Sequence, residues 1–154
     1  MPRLFLVLTL FALAAPAQTP APPALELAFT AHVTVGPSVN LGETPFGGRN
    51  FIPITGGTVD GPRLKGKVVP GGWDWQLHLP NGCTTLSAEY FLQAEDGTLI
   101  KVLNKATFWP GGKLYTRPVF EAPKGPHEWL NSAVFVGALD VVEGGVRIRF
   151  FQAK

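Results

Sequence analysis

The sequence predicts an all-β domain, and three observations carry that prediction. Apolar and polar residues alternate with a period of two in several separate segments. Turn-forming pairs recur at short intervals: Gly56-Gly57, Asp60-Gly61, Gly71-Gly72, Asn81-Gly82, Asp96-Gly97, Gly111-Gly112 and Gly144-Gly145. After residue 24, no window of a dozen residues free of Gly and Pro carries a helical period.

The chain opens with Met1-Pro2-Arg3, an apolar run over residues 4–15, and the small-residue site Ala15-Pro16-Ala17. This order predicts a secretory signal peptide over residues 1–17, since the run is shorter than the roughly 20 apolar residues of a spanning helix. Residues 18–24 read as an extended Pro/Ala leader, because each proline fixes φ and lacks a donor. Residues 25–154 are then a single domain, secreted or periplasmic, with no stable membrane insertion after cleavage. One cysteine, Cys83, cannot form an intramolecular disulfide, so packing alone must hold the domain together. A formal charge of +2 with no basic run gives no basis for a nucleic-acid partner.

The first predicted strand covers residues 25–35, with Leu25, Leu27, Phe29, Val33 and Val35 on one face and Glu26, Thr30, His32 and Thr34 on the other. Gly61 to Lys67 fits G-x-x-x-x-G-K, but Val68 stands where a hydroxyl should bind Mg²⁺ and no helix can follow through Pro70-Gly71-Gly72. Residues 63–69 are expected to form a strand with glycines at its ends. Trp73, Trp75, Leu77 and Leu79 alternate with Asp74, Gln76 and His78, which predicts a strand with the two indoles in the core and Asp74 facing solvent or a barrel lumen. Near the end, Val146, Ile148 and Phe150 oppose Arg147 and Arg149. Residues 129–138 are apolar on both faces, and Phe91, Phe108, Phe120 and Phe151 interrupt faces that should be polar. Together these features favour an antiparallel up-and-down β-barrel of about eight to ten strands, partly covered by a homo-oligomeric contact, over a two-sheet β-sandwich.

Several landmarks follow one another in order. They include Ile52-Pro53-Ile54-Thr55-Gly56-Gly57, Gly71-Gly72-Trp73-Asp74-Trp75, Tyr90, Asp96-Gly97, Phe120-Glu121 and Trp129-Leu130-Asn131. With them the chain resembles the domain-of-unknown-function 3237 family, also called uncharacterised protein family 0311, across residues 25–151. The resemblance implies a small β-barrel and no particular activity. Trp73 stands where the family usually has a small residue, which implies a narrower or more aromatic cavity. The family motif also implies that Asp74 is a lumen carboxylate.

Asp74 is accordingly the best candidate base, and the candidate ligand-binding set is Asp74, Trp75, Tyr90, Arg117, Trp129 and Asn131. Asp96 reads as a hairpin residue, because Asp-Gly needs no ligand to explain it. No G-x-S-x-G is present, so no serine triad is expected; His32, His78 and His127 lack metal-ligand spacing, so no metal is expected, and no cofactor is expected either. The leading functional expectation is a binding module for a small, partly apolar ligand. The alternatives are a cofactor-independent isomerase, cyclase or lyase using one carboxylate, and a structural piece of the cell envelope.

Overall fold

The computed structural model describes residues 21–154. The expected signal peptide and residues 18–20 of the leader lie outside the described residues. Among the described residues nine strands follow in order: β1 (Leu25–Val35), β2 (Val39–Thr44), β3 (Gly47–Asp60), β4 (Gly66–His78), β5 (Thr84–Ala94), β6 (Leu99–Phe108), β7 (Tyr115–Glu121), β8 (Phe135–Val142) and β9 (Gly145–Ala153). A 3-10 turn, Glu128–Asn131, joins β7 to β8. β3 to β9 form an antiparallel meander, β9 pairs with β1, and β1 pairs with β3, which closes an eight-stranded barrel. Closure removes the sheet edges that a sandwich would leave, and the sandwich alternative falls with it.

The extra strand follows from the length of β3. At 14 residues, β3 is long enough to pair with two strands along one edge. Its first half pairs with β2, from Thr44 opposite Gly47 to Val39 opposite Phe51. Its second half pairs with β1, from Val35 opposite Ile54 to Thr30 opposite Asp60.

One end of the barrel is filled. Phe29, Phe120 and Phe150 meet there with ring centroids 4.8 to 5.7 Å apart, and Phe135 lies 4.9 Å from Phe120. Leu130, buried, reaches this cluster from the 3-10 turn. On the outside of the same end, the Arg63 guanidinium sits 3.6 Å above the Trp129 ring and bonds to Gln152.

Strand faces agree with the sequence pattern in β9 and depart from it twice. Val146, Ile148 and Phe150 point inward, while Arg147 and Arg149 point outward and share Asp140. In β1 a register shift between Leu27 and Phe29 breaks the alternation, so Leu25 and Leu27 are exposed while Phe29, Ala31 and Val33 are buried.

β4 is inverted outright. Val68 is buried in the core, and the insertion after it spans an even number of residues: Val69 pairs with Phe91 and Trp73 with Glu89. Four steps along β4 match two along β5, so parity is kept and Asp74 and Gln76 inherit the inward face of Val68. Trp73 and Trp75, expected in the core, lie on the outer wall at 42% exposure each and flank the Phe51 ring at 5.0 and 5.1 Å. Only glycine fits at position 72, where a β-carbon would collide with that of Tyr90. The segment from Gly61 to Lys65 is a bend outside any strand, and β4 starts at Gly66, later than the strand expected from residue 63.

Asp96-Gly97 forms the β5–β6 hairpin, with Gly97 at φ 87° and the Thr98 amide donating to Asp96 Oδ1 at 2.9 Å. Among the described residues, no helix is long and apolar enough to cross a membrane.

Candidate functional site

The aromatic cluster fills only one end of the barrel, and the other end is hollow. A cavity of about 510 Å³ lies there, walled mainly by Val33, Ile54, Leu86, Leu139, Val146 and Ile148. Phe108, Trp109 and Pro110 line its mouth from the end of β6 and the loop that follows. The walls are apolar because they are the inward alternation of a half-filled barrel.

Into this apolar hollow project a few polar side chains, placed by register. Asp74 on β4 pairs with Ala88 on β5, and Ala88 pairs with Asn104 on β6. All three face inward, so Asp74 and Asn104 flank a methyl group and nothing larger. Tyr90 is the next inward residue of β5. Thr116, from β7, is also buried but does not line the cavity, and its hydroxyl occupies space that only a glycine at position 137 leaves free.

Hydrogen bonding in this cluster is incomplete. Asp74 Oδ2 accepts from Gln76 Nε2 at 2.8 Å. Asp74 Oδ1, the Tyr90 hydroxyl, Asn104 Oδ1 and Thr116 Oγ1 are buried with no hydrogen-bond partner among the described residues. Buried polar atoms are ordinarily paired, and the three bare ones on the cavity-lining residues Asp74, Tyr90 and Asn104 make a polar locus. Burial raises the Asp74 pKa above its ordinary value, against the opposing pull of the Gln76 bond. Burial also pushes the Tyr90 phenol up, and the negative charge of Asp74 adds to the effect. Asp74 is therefore a stronger base than a solvated aspartate, beside a phenol that keeps its proton.

The structure brings two of the six candidate residues into the cavity, Asp74 and Tyr90. Trp75 belongs to the outer wall. Arg117 is exposed on the outer face of β7, because the inward positions of that strand are Thr116, Pro118 and Phe120. Trp129 packs at the filled end under Arg63. Asn131 fastens the 3-10 turn to the end of β7, accepting from the Ala122 amide at 2.7 Å and donating to its carbonyl at 2.9 Å. These four do not line the cavity.

Gln76, Asn104, Phe108 and Trp109 also line the cavity and are absent from the candidate set. Asn104 had a signal in the sequence: it interrupts the inward series Ile100, Val102, Ala106, a polar residue on an otherwise apolar face. Among the described residues, no three His, Cys, Asp or Glu side chains converge to hold a metal ion.

Fold and cavity together define a closed antiparallel barrel with an internal acid–amide–phenol cluster reached from one end. The chain belongs to the family described as protein of unknown function (DUF3237), whose model matches residues 23–115. It is 33% identical over 127 residues to a UPF0311 protein of Rhodopseudomonas palustris, an alignment covering 71% of this chain and 83% of that one. A crystal structure of a beta-barrel like protein from Acinetobacter baumannii superposes with a TM-score of 0.82 at 28% identity, covering 88% of this chain and 99% of that one. The hydroalkoxylation enzyme phnH of Penicillium herquei is 29% identical over 130 residues, covering 84% of this chain and 83% of its own length.

Proposed function

We propose that the barrel takes up a small, partly apolar molecule through its open end and that Asp74 moves a proton on it, as a cofactor-independent cyclase, isomerase or lyase. The observation that carries this reading is the desolvated Asp74 carboxylate, its Oδ1 unpaired among the described residues, in the wall of an apolar cavity that Tyr90 also lines. Desolvation makes the carboxylate a base suited to a weakly acidic O–H or C–H, and the phenol can donate to the negative charge that develops on substrate. The relative that carries out hydroalkoxylation supports this class of chemistry. Adding an alcohol across a double bond takes a proton from oxygen and returns one to carbon. One carboxyl group can do both in turn, first as carboxylate and then as acid.

Trp109, 58% exposed at the cavity mouth, is the natural reporter of occupancy. A screen of hydroxyl-bearing aromatic and terpenoid compounds is expected to include ligands that change Trp109 emission and raise the melting temperature, with loss of the fluorescence response in Trp109→Phe. If no compound in such a screen alters either signal, the barrel is not a small-molecule site and the reading fails.

The site of action is proposed to be outside the cytoplasm, on the strength of the basic, apolar and small-residue order of residues 1–17. Intact mass of the protein recovered from its native host is expected to correspond to a chain starting at Gln18. A chain retaining residues 1–17 in the cytosolic fraction would refute export.

A further inference from the structure

A line of hydrogen-bonded side chains runs from Asp74 to the rim of the barrel. Gln76 Nε2 donates to Asp74 Oδ2 at 2.8 Å, and Gln76 Oε1 accepts from Asn50 Nδ2 at 3.2 Å. Asn50 Oδ1 lies 2.6 Å from His78 Nε2, and His78 Nδ1 lies 2.9 Å from Thr84 Oγ1. Asn50 Nδ2 also donates to Ser38 Oγ at 2.9 Å. Strand register builds this line: Asn50 on β3 is paired with Gln76 on β4, and His78, two residues further along β4, is paired with Thr84 on β5.

The carboxylate fixes the polarity of every link. It can only accept, so Gln76 turns its NH₂ to Asp74 and its carbonyl to Asn50. Asn50 must then present NH₂ to Gln76 and its carbonyl to His78, whose Nε2 carries the hydrogen. Neutral His78 is thereby the Nε2–H tautomer, with Nδ1 accepting from the Thr84 hydroxyl. When His78 is protonated, the Thr84 hydroxyl turns round to accept and nothing else in the line moves. Neither amide gains or loses a proton at ordinary pH, so the line transmits orientation and not protons.

We infer that Asn50 and His78 are positioning residues for Asp74: acting through Gln76, they hold Oδ2 and fix the orientation of the carboxylate, whose Oδ1 has no protein partner among the described residues. A carboxylate torsion is otherwise broad and two-fold, and would present either oxygen at varying angles. Holding it within a narrow range is what proton transfer at close distance requires. The role of Oδ1 rests on the proton-transfer reading above, while the orientation of the carboxylate can be measured without it. Tyr90 is the other titratable group facing Asp74 from within the cavity.

The test uses the barrel with its ¹³C-carboxyl and ¹⁵N-imidazole resonances assigned, as wild type, Asn50→Ala, His78→Ala and His78→Gln. His78 in wild type is expected to show the ¹⁵N shifts of the Nε2–H tautomer. Asp74 is expected to titrate at higher pH in Asn50→Ala and His78→Ala, because a Gln76 amide free to turn gives the charged form less support. His78→Gln keeps an N–H donor toward Asn50 and is expected to restore the wild-type titration. With a turned-over substrate, the two alanine variants should lose about tenfold or more in kcat at nearly unchanged KM. Should Asn50→Ala fail to fold, His78→Ala, at an exposed position, provides the same readouts.

An Nδ1–H tautomer in wild type, or an Asp74 titration unmoved in both alanine variants, overturns the positioning role. A shifted Asp74 titration in a barrel that turns over nothing keeps the positioning role and removes the proton-transfer reading. Asp74-dependent turnover that is indifferent to Asn50 and His78 does the reverse.

Discussion

Replacing Asp74 with asparagine is expected to leave ligand uptake intact and to lower turnover by about 10²–10⁴-fold, the usual contribution of a general base. The same substitution should stabilise the protein at neutral pH. The folded-state pKa of Asp74 is raised above its ordinary value of 3.8 because burial disfavours the charged form. The folded protein therefore holds this proton more tightly than the unfolded chain does, and stability falls as pH climbs from 3.8 through the folded value. Below 3.8 both states are protonated and the cost is absent. Asparagine removes the cost at neutral pH while its carbonyl can still accept from Gln76. Thermal melts at neutral pH should place Asp74→Asn above wild type, and the gap should close in acid. A variant that melts lower at neutral pH would mean that the carboxylate is not desolvated, and the argument for its basicity would go with it.

The second large effect is at the filled end. Phe150 has no exposed surface and packs against the rings of Phe29 and Phe120. Phe150→Ala is expected to cost about 3–5 kcal/mol, a loss comparable to the whole margin of a modestly stable domain. Trp75→Ala removes a larger side chain, yet it should cost only about 1–2 kcal/mol, since the indole is 42% exposed and its packing is against Phe51 on the outer wall. Urea denaturation of the two variants compares them directly. A Trp75 loss exceeding that of Phe150 would contradict the inward assignment of Asp74, which occupies the opposite face of β4.

What the sequence disclosed and what it hid follow from how each signal arises. Strand character and turns are local, so β9 and the Asp96-Gly97 hairpin could be read from a few adjacent residues. Which face is inward is not local when a strand contains an insertion. The alternation of Trp73, Trp75 and Leu77 in β4 satisfies the rule that apolar faces turn inward, yet the barrel places that face outside and the polar one in its lumen. Parity counted from Val68 would have given the correct answer, but only with knowledge that the insertion at Pro70-Gly71-Gly72 is even. Asp74 entered the candidate set through the family motif; Gln76, Asn104 and Asn50 did not, because their meeting depends on register across β3, β4, β5 and β6. Arg117 and Trp75 both lie on the outward faces of their strands, a placement decided by register around the barrel and not by the residues beside them.

The ring of strands also has a temporal meaning. The first strand, β1, is hydrogen-bonded along its length to the last, β9, from Leu25 opposite Ala153 to Thr34 opposite Gly145. A ribosome releasing this chain thus delivers the opening strand more than a hundred residues before its partner, and Phe150 of the filled end emerges with that partner. Until then β1 has only β3 beside it, and the meander keeps two unsatisfied edges that invite pairing with other chains. Folding to the closed state must await the arrival of β9, with the slow kinetics of distant contacts. Loss of β9 through a premature stop would remove the closing partner and the aromatic centre of the core at once.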